Sequence, residues 1–153
     1  MAVVDGKSWL EVLSPVACGM HLRQEEVGRV AVVVDGHPEI FPVNFVVDDA
    51  GDIYFRTDPG TKLDGAARAQ TIAFEIDGID QERQHGWSVL AVGDARWIAD
   101  AEQIKTIRGR LQPWAAGDKA HIVRLRPDKL TGRRIYRPTA AQRSAANYPP
   151  GSS

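Results

Sequence analysis

The sequence has few cysteines and no long apolar run, the features that cross-link a protein or anchor it in a membrane. Its one cysteine, Cys18, excludes an internal disulfide framework and a cysteine-based zinc site. The longest uninterrupted apolar run, Val30 to Val34, is far too short to cross a bilayer. The N-terminus has no basic leader followed by a long apolar stretch, as a secretion signal would. We therefore expect a cytoplasmic protein of a reducing compartment with no membrane partner.

The sequence also lacks an excess of charge and the short motifs of common enzymes. The 19 Lys and Arg nearly balance the 20 Asp and Glu, which argues against nucleic acid as a partner. There is neither a GxSxG nucleophile elbow nor a GxxxxGK[ST] phosphate loop. The four histidines are scattered, with no pair at metal-ligand spacing on one helix, so no metal site is expected.

What remains is an ordinary globular composition in a chain of 153 residues, 43% of them apolar, which is the size of one domain. Residues 138–153 are rich in Ala, Pro, Ser and Gly and show no apolar period. We therefore predict one domain over residues 1–137 and a loosely packed C-terminal tail over 138–153.

Alternating and β-branched segments predict a mainly β protein. The predicted strands are 28–34, 39–47, 53–57, 71–77, 86–98, 121–127 and 132–137. Three short helices are predicted: one starting at the capping box of Ser8 and Glu11, one near Thr61, and one from Asp100 through Leu111. The first three strands follow one another across short turns, which excludes a Rossmann fold and favours a closed or half-closed antiparallel barrel of six to seven strands with short flanking helices.

The segment from Tyr54 to Leu63 is the most informative for function. Arg56 ends a strand, and Lys62 follows six positions later across a Pro-Gly turn. Together with the hydroxyls of Thr57 and Thr61, these two cations could converge on one phosphate. The alternative is that Arg56 and Lys62 are solvated charges at the rim, paired with the aspartates at positions 58 and 64.

Two further segments are candidates. Pro42 interrupts an otherwise apolar strand, so it marks a sheet edge or a bulge, and Asn44 nearby needs hydrogen-bond partners if it is buried. Trp87 and Ser88 begin the long fifth strand. The plainer interpretation is an edge proline with a turn-stabilising amide, and a tryptophan in the core or at a dimer interface.

Taken together, these segments resemble the FMN-binding split-barrel family of pyridoxamine 5'-phosphate oxidase-like proteins. The resemblance is carried by GRVAVVVDGHPEIFPVNFVVDD, IYFRTDPGTKL, AFEIDGID, GWSVLAVGDARWI and TGRRI. These pieces span about Val12 to Ile135, and their order and spacing are more specific than any one of them. The match is closest to the small actinobacterial-type members and to the branch that is similar to nitroimidazole reductases.

The resemblance implies a homodimeric split barrel that holds FMN in two clefts at the subunit interface. Pro42, Val43 and Asn44 would lie along the isoalloxazine ring. The residues that would hold the ribityl phosphate are Phe55, Arg56, Thr57, Thr61 and Lys62. Trp87 and Ser88 would approach from the second subunit. The implied activity is that of a flavin-dependent oxidoreductase acting on a small-molecule substrate, with the redox chemistry supplied by the cofactor and no catalytic side chain assigned.

One departure from the family pattern bears on the activity. Pyridoxamine 5'-phosphate oxidases carry an Arg-x-His substrate motif near the C-terminus, whereas this chain reads RRIYRP over 133–138, without histidine. True pyridoxamine phosphate oxidase activity is therefore not expected. The alternatives are a deazaflavin-dependent reductase, a flavin- or haem-binding protein without turnover, and a barrel that has lost its cofactor and serves only as an interaction module.

Overall fold

The structure, a computed structural model, describes residues 2–4, 9–111 and 120–146. The strands are β1 (Ala2–Val4), β2 (Trp9–Leu13), β3 (Val27–Val34), β4 (His37–Val47), β5 (Ile53–Thr57), β6 (Ala69–Asp80), β7 (His85–Trp97) and β8 (His121–Tyr136). The helices are α1 (Pro15–Gln24), α2 (Lys62–Ala66), α3 (Ala101–Arg110) and α4 (Ala140–Ala146).

Six of these strands close into an antiparallel barrel. Hydrogen-bonded neighbours run β8-β5-β4-β3-β6-β7, and β7 pairs back with β8, while β2 and β1 extend the sheet outward from β8. The prediction of a mainly β, six- to seven-stranded antiparallel barrel with short helices is confirmed. In a ring of this order β4 and β7 are three strands apart in either direction, so they lie on opposite sides of the barrel.

Inward-facing side chains fill the barrel, as the alternation along each strand requires. Phe55 and Phe74 are fully buried there, and Phe45 meets the Phe74 ring edge-on with centroids 4.8 Å apart. A second, smaller cluster lies on the outer face, where Tyr54 and Ile122 are covered by Ile107 of α3. The outer face of β5 and β8 is therefore partly closed by a helix.

The β3–β4 hairpin shows how directly a local signal can determine structure. Asp35 and Gly36 have φ angles of 50° and 78°, the left-handed pair that a two-residue hairpin turn demands. This turn sets the β3–β4 register, in which Val30 pairs with Phe41 and Arg29 pairs with Pro42. The register in turn fixes which side chains of β4 face outward.

The predicted N-terminal helix is wrong in position. Residues 9–13 form β2, which pairs with the far end of β8 so that Leu10 lies opposite Ile135. The helix begins one element later at Pro15, where the Ser14 hydroxyl accepts a hydrogen bond from the Ala17 amide at 3.1 Å. Ser8, the predicted cap, lies outside the described residues. The long-range pairing with β8 outweighs the local helical pattern.

The two predicted strands at 121–127 and 132–137 are a single strand, β8, with a bulge. The register of β7 and β8 shifts between Val92 and Gly93, leaving Asp128 as the extra residue. A β-carbon on Gly93 would lie 2.0 Å from the Arg126 carbonyl oxygen, so this close approach requires glycine. Beyond β8, part of the predicted loose tail forms α4. None of the helices among the described residues is long and apolar enough to span a membrane.

Candidate functional site

Asn44 and Arg56 lie side by side on the outer face of the barrel. Phe45 pairs with Phe55 and both are buried inside, so the next position along the two strands points outward. Arg56 is also in register with Ile122, a member of the outer cluster, which confirms its direction. An amide and a guanidinium thus share one outward-facing strip.

Pro42 extends this strip at the edge of the sheet. It is exposed and pairs with Arg29 of β3, whereas the β4–β5 ladder begins only at Phe45. The predicted edge position of this proline is therefore confirmed: Pro42 is paired with β3 on one side and lies beyond the β4–β5 ladder on the other. Among the residues that the structure describes, no strand is paired with Pro42 on that side, which leaves room there for a flat ligand.

Lys62 is placed by a compact turn that follows Thr57. The Thr61 amide donates to the Asp58 carbonyl at 3.2 Å, and the Thr61 hydroxyl accepts from the Asp64 amide at 3.2 Å as the N-cap of α2. Gly60, with φ at 81°, makes the reversal possible. The turn returns the chain toward β4, which brings Lys62 to the rim of the barrel.

At that rim Lys62 pairs with Glu39 of β4. Its Nζ lies 3.2 Å from the Glu39 Oε1 atom, with the lysine side chain 67% exposed and the glutamate 33% exposed. The sequence suggested Asp64 as the alternative partner of these cations, but that carboxylate is engaged elsewhere. A pair this exposed is weak enough for an incoming anion to compete for the ammonium group.

Asp64 is buried beneath the turn and accepts hydrogen bonds from three residues around it. Its carboxylate accepts hydrogen bonds from the Thr57 hydroxyl at 2.7 Å, the Gly60 amide at 3.1 Å, and the His121 ring at 2.7 Å. Burial acts to raise the pKa of Asp64, but the hydrogen bonds from Thr57, His121 and Gly60 outweigh it and lower the pKa below its usual value. Asp64 is therefore an ionised anchor for the segment that carries Arg56 and Lys62.

We expect Asp64→Asn to lower the free energy of unfolding by roughly 2–3 kcal/mol, because the amide lacks the negative charge and one of the two acceptor oxygens that serve Thr57, Gly60 and His121. A depressed carboxylate pKa gives stability that is present above its unfolded value, about 4, and is lost as the pH falls through the folded value. The difference between the wild type and D64N should therefore shrink in acid. Urea unfolding from pH 7 down to pH 3 measures it. Asp58→Asn, an exposed change in the same turn, is the control; equal losses in both variants would contradict the anchor role.

Three of the predicted site residues point into the barrel. The side chains of Val43, Phe55 and Thr57 are buried, Phe55 completely, and the Thr57 hydroxyl is committed to Asp64. In the β4–β5 region, the predicted residues whose side chains are not buried are Pro42, Asn44 and Arg56 on the strands and Thr61 and Lys62 in the turn that follows β5.

Trp87 and Ser88 lie away from this group. They are on β7, on the opposite side of the barrel from β4. The Trp87 ring stacks on His21 of α1 with centroids 4.0 Å apart, and a β-carbon on Gly78 would lie 2.5 Å from its Nε1 atom. A cleft of about 530 Å³ opens beside it. A ligand over β4 and β5 would therefore lie on the other side of the barrel from these two residues of the same chain.

A second cavity, of about 400 Å³, adjoins Asn44. Arg23 and Arg110 line it, and each donates to a backbone carbonyl, Arg23 to Asp48 at 3.2 Å and Arg110 to Val47 at 2.7 Å. The cavity extends the outward strip past Asn44 and so enlarges the space open to a ligand. Across the described ranges there is no cluster of three or more His, Cys, Asp or Glu that could hold a metal ion.

Sequence reasoning missed Glu39 and His121 at this site and expected Asp64 to pair with the cations rather than with Thr57, Gly60 and His121. Thr61 and Asp64 have the spacing of a helix cap, so the role of Asp64 in the turn had a local signal. Glu39 and His121 had none, because their partners, Lys62 and Asp64, are far away in the chain.

Comparisons with known proteins agree with this architecture. The pyridoxamine 5'-phosphate oxidase family matches residues 15–134. An uncharacterized protein of Mycobacterium tuberculosis is 34% identical over 119 residues, which cover 74% of this chain and 78% of that protein.

Solved structures are also similar to this chain. The FAD binding protein from Mycobacterium smegmatis superposes with a TM-score of 0.73 and 39% identity, covering 84% of this chain and 100% of that one. A FAD-binding protein from Mesorhizobium loti has a TM-score of 0.65, covering 82% of this chain and 97% of that one. Its 22% identity shows a shared fold only.

Proposed function

The chain belongs to the pyridoxamine 5'-phosphate oxidase family, and on that basis we propose that it binds a flavin across the outer face of β4 and β5. The observation that carries the proposal is the outward strip of Asn44 and Arg56, with Lys62 at the adjoining rim. An accessible backbone edge suits a flat ring, and two cations close to each other in the chain suit its phosphate.

The protein contributes binding and positioning to this site. Arg56 and Lys62 hold the phosphate, and Thr61 caps the turn that presents Lys62. Asn44, whose Nδ2 lies 3.5 Å from the Glu26 carbonyl oxygen, supplies an oriented amide beside the ring. When bound, the flavin would supply hydride or electron transfer to a small-molecule substrate. FMN and FAD both carry the ring and phosphate that the strip requires, and the similar M. smegmatis protein is an FAD binding protein.

We further propose that the functional unit is a homodimer. Exposed apolar side chains collect on the outside of the sheet, among them Ile79, Leu90 and Ile135, at 72%, 37% and 44% exposed. Ile135 pairs with Gly86, which pairs with Ile79, so Ile135 and Ile79 flank Gly86 in one row across β8, β7 and β6, and Leu90 lies further along β7. A second copy would cover this row and bring its Trp87 and Ser88 to the flavin.

Absorption spectroscopy tests flavin binding directly. The purified chain is titrated with FAD and with FMN, and we expect a shifted visible band that saturates at one flavin per chain. Light scattering on the same samples should give the mass of a dimer. A chain that binds neither flavin at tens of micromolar would refute the proposal, and a monomer that binds flavin would refute its dimeric part.

A second candidate is a flavin-binding protein without turnover. It is favoured by the 39% identity to a protein that is known as an FAD binding protein and by the lack of an assigned acid or base in the strip. Steady-state reduction of an acceptor separates the two. An enzyme should exceed the rate of the same concentration of free reduced flavin, whereas a carrier should not.

A further inference from the structure

We propose that Asp77, which shares a proton with Glu75, is the proton donor for the flavin site that the other subunit holds on its β4 and β5. The inference rests on the flavin binding and the homodimer proposed above. It adds an acid to a strip whose own polar side chains are the amide of Asn44 and the guanidinium of Arg56. It is carried by a carboxylate pair on β6, outside that strip.

Glu75 and Asp77 share the outer face of β6. Ile76 between them is buried inside the barrel, so the alternation of the strand turns both carboxylates outward. Their side chains are 31% and 33% exposed. The Arg29 guanidinium of β3 lies 3.1 Å from Glu75 Oε2 and 3.4 Å from Asp77 Oδ2. One cation therefore serves two carboxylates.

Two carboxylates that share one cation favour the state in which they also share a proton. Burial and the charge of Asp77 raise the pKa of Glu75, a hydrogen bond with Asp77 adds to the rise, and together they outweigh the contact with Arg29. Because the two groups are coupled, the proton belongs to the pair rather than to one residue. Glu75 holds it and can pass it to Asp77.

Other charged groups surround this pair. Arg133 of β8 faces it across Ser88 of β7, but among the residues that the structure describes no ion pair joins Arg133 to either carboxylate. At the adjoining cleft lie His85 and Asp80, and Asp80 is bound by Arg83 at 3.2 Å. The main influences on the pKa of Glu75 remain burial, its carboxylate neighbour and the shared cation.

Asp77 places the proton in the cleft beside Trp87. It lies directly opposite Ser88, and both residues line this cleft of about 530 Å³. Residues opposite each other on one face of a sheet have β-carbons about 4.5–5.5 Å apart. The proposed dimer brings Ser88 to the flavin of the other subunit, so it brings Asp77 there as well. The apolar lining suits an uncharged substrate; it includes Leu10, Ile79 and Ile135.

The step assigned to the pair is the transfer of one proton. An uncharged acceptor with a double bond conjugated to a carbonyl group takes a hydride from reduced flavin at one carbon and the proton from Asp77 at the other. The double bond becomes a single bond, the flavin is oxidised by two electrons, and water returns a proton to the pair. Without the acid, the acceptor would be left as an anion in an apolar cleft.

The shared proton is tested in the chain without flavin, by NMR titration of its carboxyl groups. Glu75 should titrate above the usual glutamate pKa of about 4.3. Asp77→Asn should lower the pKa of Glu75, because the neighbouring charge is gone, and Arg29→Gln should raise it further. Asp94→Asn, which removes an exposed carboxylate from β7, should leave it unchanged. A Glu75 that titrates at the usual value in the wild type would overturn the inference.

The proton transfer is tested with the flavin-loaded protein, reduced by dithionite and mixed without oxygen with one of two acceptors. Cyclohexenone needs a hydride and a proton, whereas ferricyanide takes electrons alone. D77N should slow oxidation by cyclohexenone about a hundredfold and leave oxidation by ferricyanide unchanged. Glu75→Gln should also slow only the first reaction, so the test does not depend on one variant folding. In the wild type that rate should fall as the pH rises through the pKa of Glu75.

Equal losses with both acceptors would show a structural role and overturn the assignment. A wild type that reduces ferricyanide but not cyclohexenone would overturn it as well, while leaving flavin binding intact. A chain that binds no flavin would instead refute the proposed function.

A mixed dimer of D77N with R56A/K62A assigns the acid to a subunit. Flavin binds tightly only to the D77N chain, which keeps Arg56 and Lys62, and this site faces the intact Asp77 of the other chain. Cyclohexenone should therefore oxidise that flavin at the wild-type rate. A hundredfold loss in the mixed dimer would mean that the acid acts within its own chain, contrary to the proposal.

Discussion

Replacing Arg56 and Lys62 together by alanine is expected to weaken the binding of FMN and FAD on the order of a hundredfold, because each removes a charge-assisted contact to phosphate. Riboflavin, which has no phosphate, should bind the variant as it binds the wild type. The loss should appear in the dissociation constant measured by flavin fluorescence. Loss of the Lys62 side chain should affect folding little, since it is 67% exposed.

The control for this variant removes the same two charges from another part of the surface. Arg96 and Lys105 are both exposed, on β7 and α3. R96A/K105A should bind FMN and FAD like the wild type. If both double variants lost affinity equally, the effect would come from the overall charge of the protein. If neither lost affinity, Arg56 and Lys62 would be rim charges, as the alternative interpretation holds.

The strands of the barrel were predictable where their signals are local. The β3–β4 hairpin needs only a two-residue turn that tolerates positive φ, and Asp35-Gly36 supplies it. Likewise Thr61 and Asp100 cap α2 and α3 where the sequence predicts helices. In each of these cases the determining contacts lie within a few residues of one another.

The errors arise where a distant partner decides the structure. Residues 9–13 carry a helical apolar pattern but pair with β8, more than a hundred positions away. The segment around Pro127 resembles a break between two strands, yet the bulge beside Gly93 lets the ladder continue past it. No pattern within either segment contains that information.

The residues proposed for the candidate site have local signals only in part. Arg56 and Lys62 stand out because a short turn joins them. The partner of Lys62 was not predictable, because Glu39 reaches it only after β4 folds against β5 and α2. Inward and outward directions also needed the register, which is why Val43, Phe55 and Thr57 entered the predicted set although their side chains are buried.

The position of Trp87 and Ser88 leads to a prediction about two chains together. If the flavin site combines β4 and β5 of one subunit with β7 of the other, lesions on the two sides should complement each other. One variant is R56A/K62A. The other is Ser88→Trp, which adds bulk to the cleft of about 530 Å³ without emptying the core.

Each variant alone should lose most of its flavin binding, because both sites of its homodimer carry the lesion. A mixed dimer, made by co-expressing the two chains with different affinity tags, should bind one flavin per two chains. One of its sites pairs the intact Arg56 and Lys62 of one subunit with the intact Ser88 of the other. The second site contains R56A/K62A from one subunit and Ser88→Trp from the other, and should not bind flavin.

A site that lies wholly on β4 and β5 of one chain gives a different result for the single variants. Ser88→Trp alone should then keep its flavin, because Ser88 lies on the opposite side of that barrel. Mixed dimers of the wild type with each variant calibrate the measurement, and a shared site should leave one working site in both. Flavin absorbance per chain after two-tag purification distinguishes the cases. The experiment thus tests whether one barrel presents half of the proposed site on each side.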